Sequence, residues 1–535
     1  MNKETQVVIV GGGPNGVALA HLMGVYGIQT IVLEANPDIL PYPRAVGMDD
    51  EALRVLQSAG VANEVVKDMI HNVPIRYYNA AGVCFAEVKP SSAEFGWPMR
   101  SIFMQHLLEK SMREMLNQYD YIDLRSGHEM LQVEQDETGV TVEVKDPQGE
   151  IYQIRSAYLV GADGGRSAVR KQINIPFEGL THSHKWVVVD VANDSLDAPY
   201  TALHADPTRP FVCIYLPYQQ RRWEFMLFEG EDEAVMCQEE NIRALIRTHI
   251  GDDVDKLEII RIRPYTHNSR VAQSFVKGRI ALIGDAAHIT PPWAGQGLNS
   301  GIRDVGNIAW KLAAILKGYA SPHILNTYDT ERRQHATDLV ALADNMGMVL
   351  GLTNPLMAGV RDWIFQAFNN VEALRSHLVE FKFKPKPFIT KGLVYHPRKN
   401  IQPNDIVGKI FIQPFVETAE QQRVKLDEVL GKWYSIISFR TNPIAALSDE
   451  AKAFWAERET KFIQVNRSRS GLGRDKPLSP ATDVICVEDV DHKLEDWFTE
   501  ARDEVVIVRP DRFIAATCSV EQLEMTLEKL ACQLN

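Results

Sequence analysis

The sequence predicts an α/β protein, in which a parallel sheet with helices on both faces carries an inserted β-rich layer and is followed by a further strand-and-helix module. Three observations lead to this prediction. Residues 6–34 run strand, glycine turn, helix and strand, which is a βαβ unit. Strand signals dominate between Ile175 and Pro264. A second strand, glycine loop and helix follow in Arg279–Asp304, far along the chain from the first.

Length and composition limit the classes of protein. The 535 residues are enough for two or three domains. The net charge of −13 argues against nucleic acid or an anionic membrane as a partner, because both need basic patches. The six cysteines show neither C-x-x-C nor metal-ligand spacing, so we expect reduced thiols and no metal site. We read no signal peptide and no membrane span, and a cytoplasmic location is expected.

The N-terminal turn has the pattern of a dinucleotide site. Its first glycine allows a tight turn, the second lets backbone approach a pyrophosphate, and the third lets helix pack on strand. The helix N-terminus offers free N–H groups and the positive end of its dipole. Glu34 ends the next strand, where a carboxylate can hold ribose hydroxyls, so NAD or FAD is favoured over NADP. The turn residues assigned to this site are Gly11, Gly13, Pro14, Asn15 and Gly16.

The Arg279–Asp304 stretch decides between the two dinucleotides. Asp285 follows its strand, and its carboxylate suits the ribityl chain of a flavin. A helix N-terminus aimed at the pyrimidine edge of an isoalloxazine would stabilise the anionic reduced flavin, whereas NAD forms no such anion. The residues expected at that helix start are Gly295, Gly297, Leu298 and Asn299.

A third loop carries the same strand, turn and helix order. It begins at Asp163-Gly164 and continues through Arg166, Ser167 and Arg170. Each of the three loops alone could be a structural turn. Together, in this order, they predict a site for FAD.

The segments "VVIVGGGPNG", "YLVGADGGRSAVR" and "RIALIGDAAHITPPWAGQGLNSGIRD" resemble the single-component (class A) FAD-dependent aromatic hydroxylases. The phrases "RRWEFMLFEGE" and "NIAWKLA" are most similar to the 3-(3-hydroxyphenyl)propionate hydroxylase branch, and the resemblance covers about residues 5–390. It implies hydroxylation of a phenol or aromatic acid with O2 and transiently bound NADH or NADPH, through a flavin C4a-hydroperoxide, in aromatic catabolism. It also implies that Arg44 and Gln105 contact the flavin, and that the Asp163 loop serves both FAD and the nicotinamide donor.

The resemblance and the strand pattern together divide the chain. Residues beyond about 400 resemble the thioredoxin-like appendage of phenol hydroxylase relatives but lack C-x-x-C, so a structural or dimer-contacting role is expected there. The predicted divisions are an FAD-binding domain (1–72, 98–175 and 265–345), a β-rich substrate domain (73–97 and 176–264), a helical connector (346–395) and a thioredoxin-like domain (396–535).

Candidate residues for the chemistry lie in the late loop and in the β-rich layer. Pro292 and Trp293 match the family's loop that faces substrate and flavin, although a rigid turn and simple packing explain them equally well. For His288 we expect a structural hydrogen bond. For each residue that could line the substrate pocket, packing in the core or a surface ion pair is the alternative explanation. These candidates are His204, Tyr215, Arg222, Trp223 and Phe225, with Arg209 and Arg221 as further cations.

Two other hypotheses stay open at this stage. One is a hydroxylase of larger polycyclic or heteroaromatic compounds on the same scaffold. The other is a non-catalytic flavin- or nucleotide-binding regulator, which leaves "PPWAGQG" unexplained. A flavin halogenase is disfavoured, because the chain has no W-x-W-x-I-P segment. The sequence does not decide the aromatic substrate, the ring position, the choice of nicotinamide or whether the chain forms a homodimer.

Overall fold

The computed structural model describes residues 3–42, 44–369, 371–380, 382–396, 405–467 and 483–535, and four sheets organise this part of the chain. The strands are β1 (Glu4–Val10), β2 (Thr30–Glu34), β3 (Gly47–Met48), β4 (Ile70–His71), β5 (Ile75–Tyr78), β6 (Cys84–Val88), β7 (Ser101–Ile102), β8 (Ile122–Ser126), β9 (Glu129–Gln135), β10 (Val140–Lys145), β11 (Ile151–Gly161), β12 (Phe177–Ala192), β13 (Thr201–His204), β14 (Phe211–Leu216), β15 (Gln220–Met226), β16 (Glu258–Ala272), β17 (Val276–Lys277), β18 (Ile280–Leu282), β19 (His288–Ile289), β20 (Phe415–Thr418), β21 (Arg423–Lys425), β22 (Ser435–Phe439), β23 (Lys461–Arg467), β24 (Val484–Asp489), β25 (Val505–Val508) and β26 (Ile514–Cys518). The helices are α1 (Pro14–Tyr26), α2 (Asp50–Ser58), α3 (Ala62–Val65), α4 (Gln105–Met115), α5 (Ala168–Gln172), α6 (Glu233–Met236), α7 (Glu239–Ile250), α8 (Gly297–Leu316), α9 (Asn326–Leu350), α10 (Pro355–Asn369), α11 (Glu372–Val379), α12 (Leu426–Leu430), α13 (Asp449–Glu457), α14 (Lys493–Ala501) and α15 (Leu523–Leu534).

The first sheet is the parallel layer that the sequence predicts. Its order is β17-β18-β11-β1-β2-β8, and all neighbours except β17 and β18 pair in parallel. β10 pairs with β11 and β9 pairs with β10, both antiparallel, so that this hairpin extends the sheet at β11. Val7, Val8 and Ile9 are fully buried, as expected of a parallel sheet whose faces are covered by helices. The carboxyl ends of β1, β11 and β18 therefore lie side by side at one edge of the sheet.

The second sheet is the β-rich layer, ordered β19-β16-β12-β15-β14-β13-β5-β6. Its neighbours are antiparallel except β13 and β5, which pair in parallel. The predicted boundary between residues 264 and 265 falls inside β16, which continues to Ala272. The β-rich layer thus includes residues that the sequence pattern assigned to the FAD-binding domain, because β16 keeps pairing with β12 as far as Phe177.

The third sheet belongs to the C-terminal part and is ordered β21-β20-β24-β23-β22-β25-β26. β22, β23 and β24 are parallel, and β25 is antiparallel to both β22 and β26. α13 connects β22 to β23, and α15 follows β26. The thioredoxin-like description of this domain stays a prediction. All six cysteines of the chain are free thiols.

Candidate functional site

The early turn, residues 11–16, links β1 to the first turn of α1 and combines close packing with one open position. Gly11 has a φ of +110°, and a Cβ there would lie 2.3 Å from the carbonyl oxygen of Ala162. A Cβ at Gly16 would lie 1.9 Å from the carbonyl oxygen of Gly11. At Gly13, directly before α1, a Cβ would meet nothing within 4 Å. The helix N-terminus is therefore open where a phosphate would approach its N–H groups.

Glu34 ends β2 beside the early turn and is 9% exposed. Its Oε2 accepts a hydrogen bond from the backbone N–H of Gly12 (2.8 Å), and Oε1 accepts two from Asn36 (both 2.8 Å). A carboxylate offers about four acceptor positions. The protein uses three of them, so Glu34 can still accept one hydrogen bond from a ribose hydroxyl.

Asn15 joins the early turn to the late turn, which we define as residues 284–301. Gly284 has a φ of +56°, and a Cβ there would lie 2.1 Å from Asn15 Nδ2. A Cβ at Gly301 would lie 2.2 Å from the same atom. The side chain of Asn15 therefore occupies the space that these two glycines leave free, and the structure brings the two distant turns into contact.

The third loop is shaped by Asp163 and tied to the late turn by Arg170. The carboxylate of Asp163 accepts hydrogen bonds from Ser167 Oγ (2.6 Å) and from the backbone N–H of Val169 (3.1 Å). Arg170 Nη1 donates to the carbonyl oxygen of Ala286 (2.7 Å). Early turn, third loop and late turn thus form one continuous surface at the edge of the first sheet.

Asn299 fixes the start of α8 and is 1% exposed. Its Nδ2 donates to the carbonyl oxygens of Gly47 (3.2 Å) and Gly295 (2.8 Å), while its Oδ1 accepts from the backbone N–H of Asp49 (3.1 Å). A Cβ at Gly297 would meet nothing within 4 Å. The first turn of α8 therefore presents its unpaired N–H groups to open space. Gly295, Gly297 and Leu298 all retain exposed surface there.

The late turn and residues 44–48 lie beside the second sheet, and we call the region between them the cleft. Asp285 is partly exposed in it. Tyr265 of β16 is 42% exposed, and desolvation by the surrounding residues raises its pKa to about 12. The nearby carboxylates of Asp285 and Glu224 add to this rise in pKa, and Arg44 opposes it. These four residues therefore border the same opening.

One face of α4 supports the early turn and residues 44–48. Gln105 Oε1 accepts from the backbone N–H of Ala45 (2.7 Å), and its Nε2 donates to Glu109 (2.6 Å). Arg113 Nη2 donates to the carbonyl oxygen of Gly12 (2.8 Å), and its buried Nε has no hydrogen-bond partner in the described residues. The sequence motifs do not single out Arg113. Its spacing of eight residues from Gln105, two helical turns, is the signal that could have found it.

Trp293 closes one end of the cleft, whereas Pro292 is exposed. The Trp293 ring lies edge-on to Trp186 (centroids 5.0 Å apart) and to His267 (5.9 Å). A Cβ at Gly347 of α9 would lie 2.6 Å from Trp293 Nε1, so the ring is pressed against that helix. The indole thus packs between the second sheet and α9 while bordering the cleft.

The pocket candidates in the β-rich layer lie on two opposite faces of the second sheet. Arg222 faces the cleft: its Nη1 donates to the carbonyl oxygen of Arg44 (2.8 Å), and its Nε donates to Asp190 (2.7 Å). Because side chains alternate along a strand, its neighbour Trp223 points to the other face. The structure therefore brings Arg222, but not Trp223, to the cleft.

The remaining candidates pack away from the cleft. Trp223 and Phe225, 2% and 1% exposed, share a core cluster with Ile242 and Ile246 of α7. The other members of this side are His204, whose ring stacks on Phe211 at 4.1 Å, and Tyr215, whose ring lies 5.6 Å from the Arg221 guanidinium. Arg209 and Arg221 pair with Glu231 and Asp194 instead of facing the cleft.

His288 makes the structural hydrogen bond that the sequence predicts. Its Nε2 lies 2.7 Å from Asp304 Oδ2, and Arg332 Nε donates to the other oxygen of that carboxylate (2.9 Å). Burial raises the pKa of Asp304, but its contacts with His288 and Arg332 more than offset this and hold the pKa below its usual value. His288 is fully buried and therefore supports the late turn from behind.

A buried charge cluster underlies the late turn, and the sequence motifs do not predict it. Arg303 of α8 donates to Asp49 and Glu51. Lys384 Nζ donates to the same two residues, at 2.8 Å and 3.1 Å. Burial raises the pKa of Glu51, but the two cations lower it to about 2. Burial raises the pKa of Asp50, next to them, to about 7. The cluster holds α2, α8 and the 382–396 segment together.

Within the described ranges, no group of three or more His, Cys, Asp or Glu side chains is arranged to hold a metal ion. In that same part of the chain, no helix is both long and apolar enough to cross a membrane.

Comparison with known proteins shows the family to which the chain belongs. Residues 4–343 match the family described as FAD binding domain, and residues 408–533 match the HcaD C-terminal domain. A "3-(3-hydroxy-phenyl)propionate/3-hydroxycinnamic acid hydroxylase 2" of Burkholderia vietnamiensis is 51% identical over 96% of this chain and 93% of its own length. A protein of the same description from Mycolicibacterium smegmatis is 40% identical over 95% of this chain and 90% of its own.

Two solved structures share the fold across the whole chain. The flavin-dependent monooxygenase PieE, in complex with FAD and substrate, matches with a TM-score of 0.78 at 22% identity, covering 99% of both chains. The OxyS anhydrotetracycline hydroxylase from Streptomyces rimosus matches with a TM-score of 0.75 at 25% identity, also covering 99% of both.

Fold and site together define an oxidoreductase that uses FAD to hydroxylate an aromatic compound. The residues fit this cofactor, since the helix starts at Gly13 and Gly297 are open and Glu34 retains an acceptor position. The chain belongs to the class A FAD-dependent aromatic monooxygenases, in the branch that contains the 3-(3-hydroxyphenyl)propionate hydroxylases.

Proposed function

We propose that this chain hydroxylates a phenol that carries a short carboxylate side chain, of the 3-(3-hydroxyphenyl)propionate or 3-hydroxycinnamate type. The observation that carries the proposal is the 51% identity to a relative named for these two substrates, over 96% of the chain. In the balanced reaction, substrate, O2, NADH or NADPH and one proton give the hydroxylated ring, NAD(P)+ and water. The chain would then act in the breakdown of aromatic compounds.

The proposed FAD contacts follow from the three turns. The early turn and the N-terminus of α1 would hold the pyrophosphate, and Glu34 would accept from a ribose hydroxyl. Asp285 would accept from the ribityl hydroxyls. Arg44, Gln105 and the third loop with Asp163 would border the cofactor, and Arg113 would add its unpaired Nε–H. When bound, FAD supplies the redox chemistry: it receives a hydride from the nicotinamide and activates O2.

The residues of the late turn would position the reacting groups. The first-turn N–H groups of α8, around Gly297 and Asn299, would stabilise negative charge at the pyrimidine edge of the ring system. Pro292 and Trp293 would cover the reacting face and exclude water, which a hydroxylation needs to avoid wasted oxidation of the nicotinamide. Of the five substrate candidates, Arg222 stays in the proposal, because it faces the cleft.

A location in a reducing compartment such as the cytoplasm fits the same proposal. The six thiols are unpaired, as is usual for proteins kept in reducing conditions.

The test follows nicotinamide oxidation by the purified holoprotein with three acids. These are 3-(3-hydroxyphenyl)propionate, 3-hydroxycinnamate and 3-phenylpropionate, which lacks the hydroxyl group. We expect the two phenols to accelerate NADH or NADPH oxidation and to yield products one oxygen atom heavier, labelled when 18O2 is supplied. 3-Phenylpropionate should give no hydroxylated product. Bound FAD with no labelled product from either phenol would refute the proposal.

A further inference from the structure

Arg100 is a partly buried cation without a matching anion. Its Nη1 donates to the carbonyl oxygen of Val73 (2.6 Å), and its Nη2 donates to Thr201 Oγ1 (2.9 Å). In the described part of the chain it forms no ion pair with a carboxylate, and its Nε has no hydrogen-bond acceptor. Burial lowers its pKa to about 10, so it is still charged at neutral pH. It keeps some exposed surface, so a ligand can reach it.

Other buried arginines of this chain are compensated. A buried charge is costly unless it is paired and hydrogen-bonded. Arg170 also lacks an ion pair, but its two Nη groups donate to carbonyl oxygens and its guanidinium lies 3.7 Å from the Phe177 ring centroid. The arginines with buried carboxylate partners are Arg54 with Asp427, Arg221 with Asp194, Arg303 with Asp49, Arg332 with Asp304 and Arg509 with Glu331.

Two hydroxyl groups add hydrogen-bond donors beside Arg100. The Tyr77 side chain is 6% exposed, and its hydroxyl has no hydrogen-bond partner among the described residues. Burial raises the pKa of Tyr77 to about 12, although the charge of Arg100 opposes the rise, so the hydroxyl keeps its proton. Thr201 Oγ1 accepts from Arg100, which leaves its own O–H free to donate. A guanidinium and two hydroxyls around one space are a donor set suited to a carboxylate.

This donor set lies at the end of the cleft. Arg100 directly precedes β7, and β7 pairs with β3 so that Ile102 lies opposite Gly47. Strand spacings put the Cα atoms of Arg100 and Gly47 about 9 Å apart. Gly47 is the residue whose carbonyl oxygen accepts from Asn299 of the late turn. One aromatic ring with a short side chain fits that separation.

The wall of the cleft between Arg100 and Gly47 is apolar. Val212 belongs to the cluster that contains Tyr77 and Trp293, and also to the cluster that contains Val46 and Ile214. It therefore lies between the late turn, residues 44–48 and the surroundings of Arg100. An aromatic ring packed on Val212 would have its reacting edge toward the late turn and its substituent toward Arg100.

We propose that Arg100, together with the hydroxyl groups of Tyr77 and Thr201, binds the carboxylate of the substrate's side chain. This assignment rests on the proposed function, since it requires an aromatic acid as substrate. The guanidinium would form charge-assisted hydrogen bonds through its unused N–H groups. Substrate binding would then supply the anion that the buried cation lacks.

The test compares a charged and a neutral substrate. 3-(3-Hydroxyphenyl)propionate and 3-propylphenol differ mainly in the carboxylate, and their binding to the holoenzyme is measured by perturbation of the flavin absorbance as well as by KM. We expect Arg100→Gln to weaken binding of the acid about 10- to 100-fold and to change binding of 3-propylphenol less than threefold. Tyr77→Phe removes one hydroxyl while keeping the ring, and should weaken binding of the acid alone by about fivefold.

Arg209→Gln is the matched control, because it removes a partly buried arginine that pairs with Glu231 outside the cleft. It should leave the binding of both substrates unchanged. Equal losses for the acid and for 3-propylphenol in Arg100→Gln would show a structural role and overturn the assignment. So would unchanged binding of the acid in both Arg100→Gln and Tyr77→Phe. If the wild-type enzyme hydroxylates neither phenolic acid, the proposed function itself fails, and this outcome is distinct from the other two.

Discussion

Replacing Lys384 by methionine tests how strongly the buried cluster beneath the late turn is held by its charges. Lys384 is 8% exposed and donates to both Asp49 and Glu51. Methionine keeps most of the apolar length of the side chain but removes the charge. Two buried carboxylates would then share Arg303 alone. Breaking a buried ion pair by removing one partner costs about 3–5 kcal/mol, and we expect Lys384→Met to destabilise the protein by about this amount.

The assay is urea unfolding of the holoprotein, with free FAD held at a fixed excess. Lys386→Met is the matched control, because Lys386 lies two residues further on and is 67% exposed in its pair with Glu94. It should change the free energy of unfolding by less than about 0.5 kcal/mol. Arg303 also donates to Gln296 in the late turn (3.3 Å), so Lys384→Met should weaken FAD binding too. Equal stability of the two variants would refute the reasoning.

Two further predictions concern the turns and the same cluster. Gly301→Ala puts a Cβ 2.2 Å from Asn15 Nδ2 and should lower the affinity for FAD about tenfold, as measured by flavin fluorescence titration. Gly359→Ala is the control, because a Cβ at this position of α10 lies in open space and should leave the affinity unchanged. Equal affinities of the two variants for FAD would contradict the prediction. Asp50→Asn should stabilise the protein at pH 8 but not at pH 4, in thermal unfolding. Burial raises the folded-state pKa of Asp50 to about 7, so its ionisation costs stability as pH rises from about 4 to 7; an equal gain at both pH values would contradict this.

The cofactor turns could be predicted from sequence because their chemistry is local. A glycine turn between a buried strand and a helix needs only neighbouring residues to be recognised, and parallel strands place their carboxyl ends at one edge. The contact between Asn15 and the glycines at 284 and 301 follows from that geometry. Membership of an FAD-binding class could therefore be predicted from the sequence alone.

The walls of the cleft could not be predicted in the same way. Whether Arg222 or Trp223 faces the cleft depends on which side of the second sheet α7 covers, and residues on both faces of β15 are buried. Lys384 belongs to a lysine- and proline-rich segment that is typical of an exposed linker, yet its partners precede it by more than 330 residues. Arg100 differs from most of the other buried arginines because it has no carboxylate partner among the described residues, and the sequence alone does not reveal which arginines have partners.

The C-terminal domain acts on the site through the helices that carry it. Arg54 of α2 pairs with Asp427 (2.7 Å), and α2 begins at the carboxylates that hold Arg303. Glu331 of α9 binds Lys311 of α8 (2.8 Å) and Arg509 of the C-terminal domain (2.7 Å). Because α8 also starts at the late turn, these buried ion pairs anchor the far end of the helix whose N-terminus we propose to face the flavin. These ion pairs therefore tie the C-terminal domain to the helices that carry the late turn.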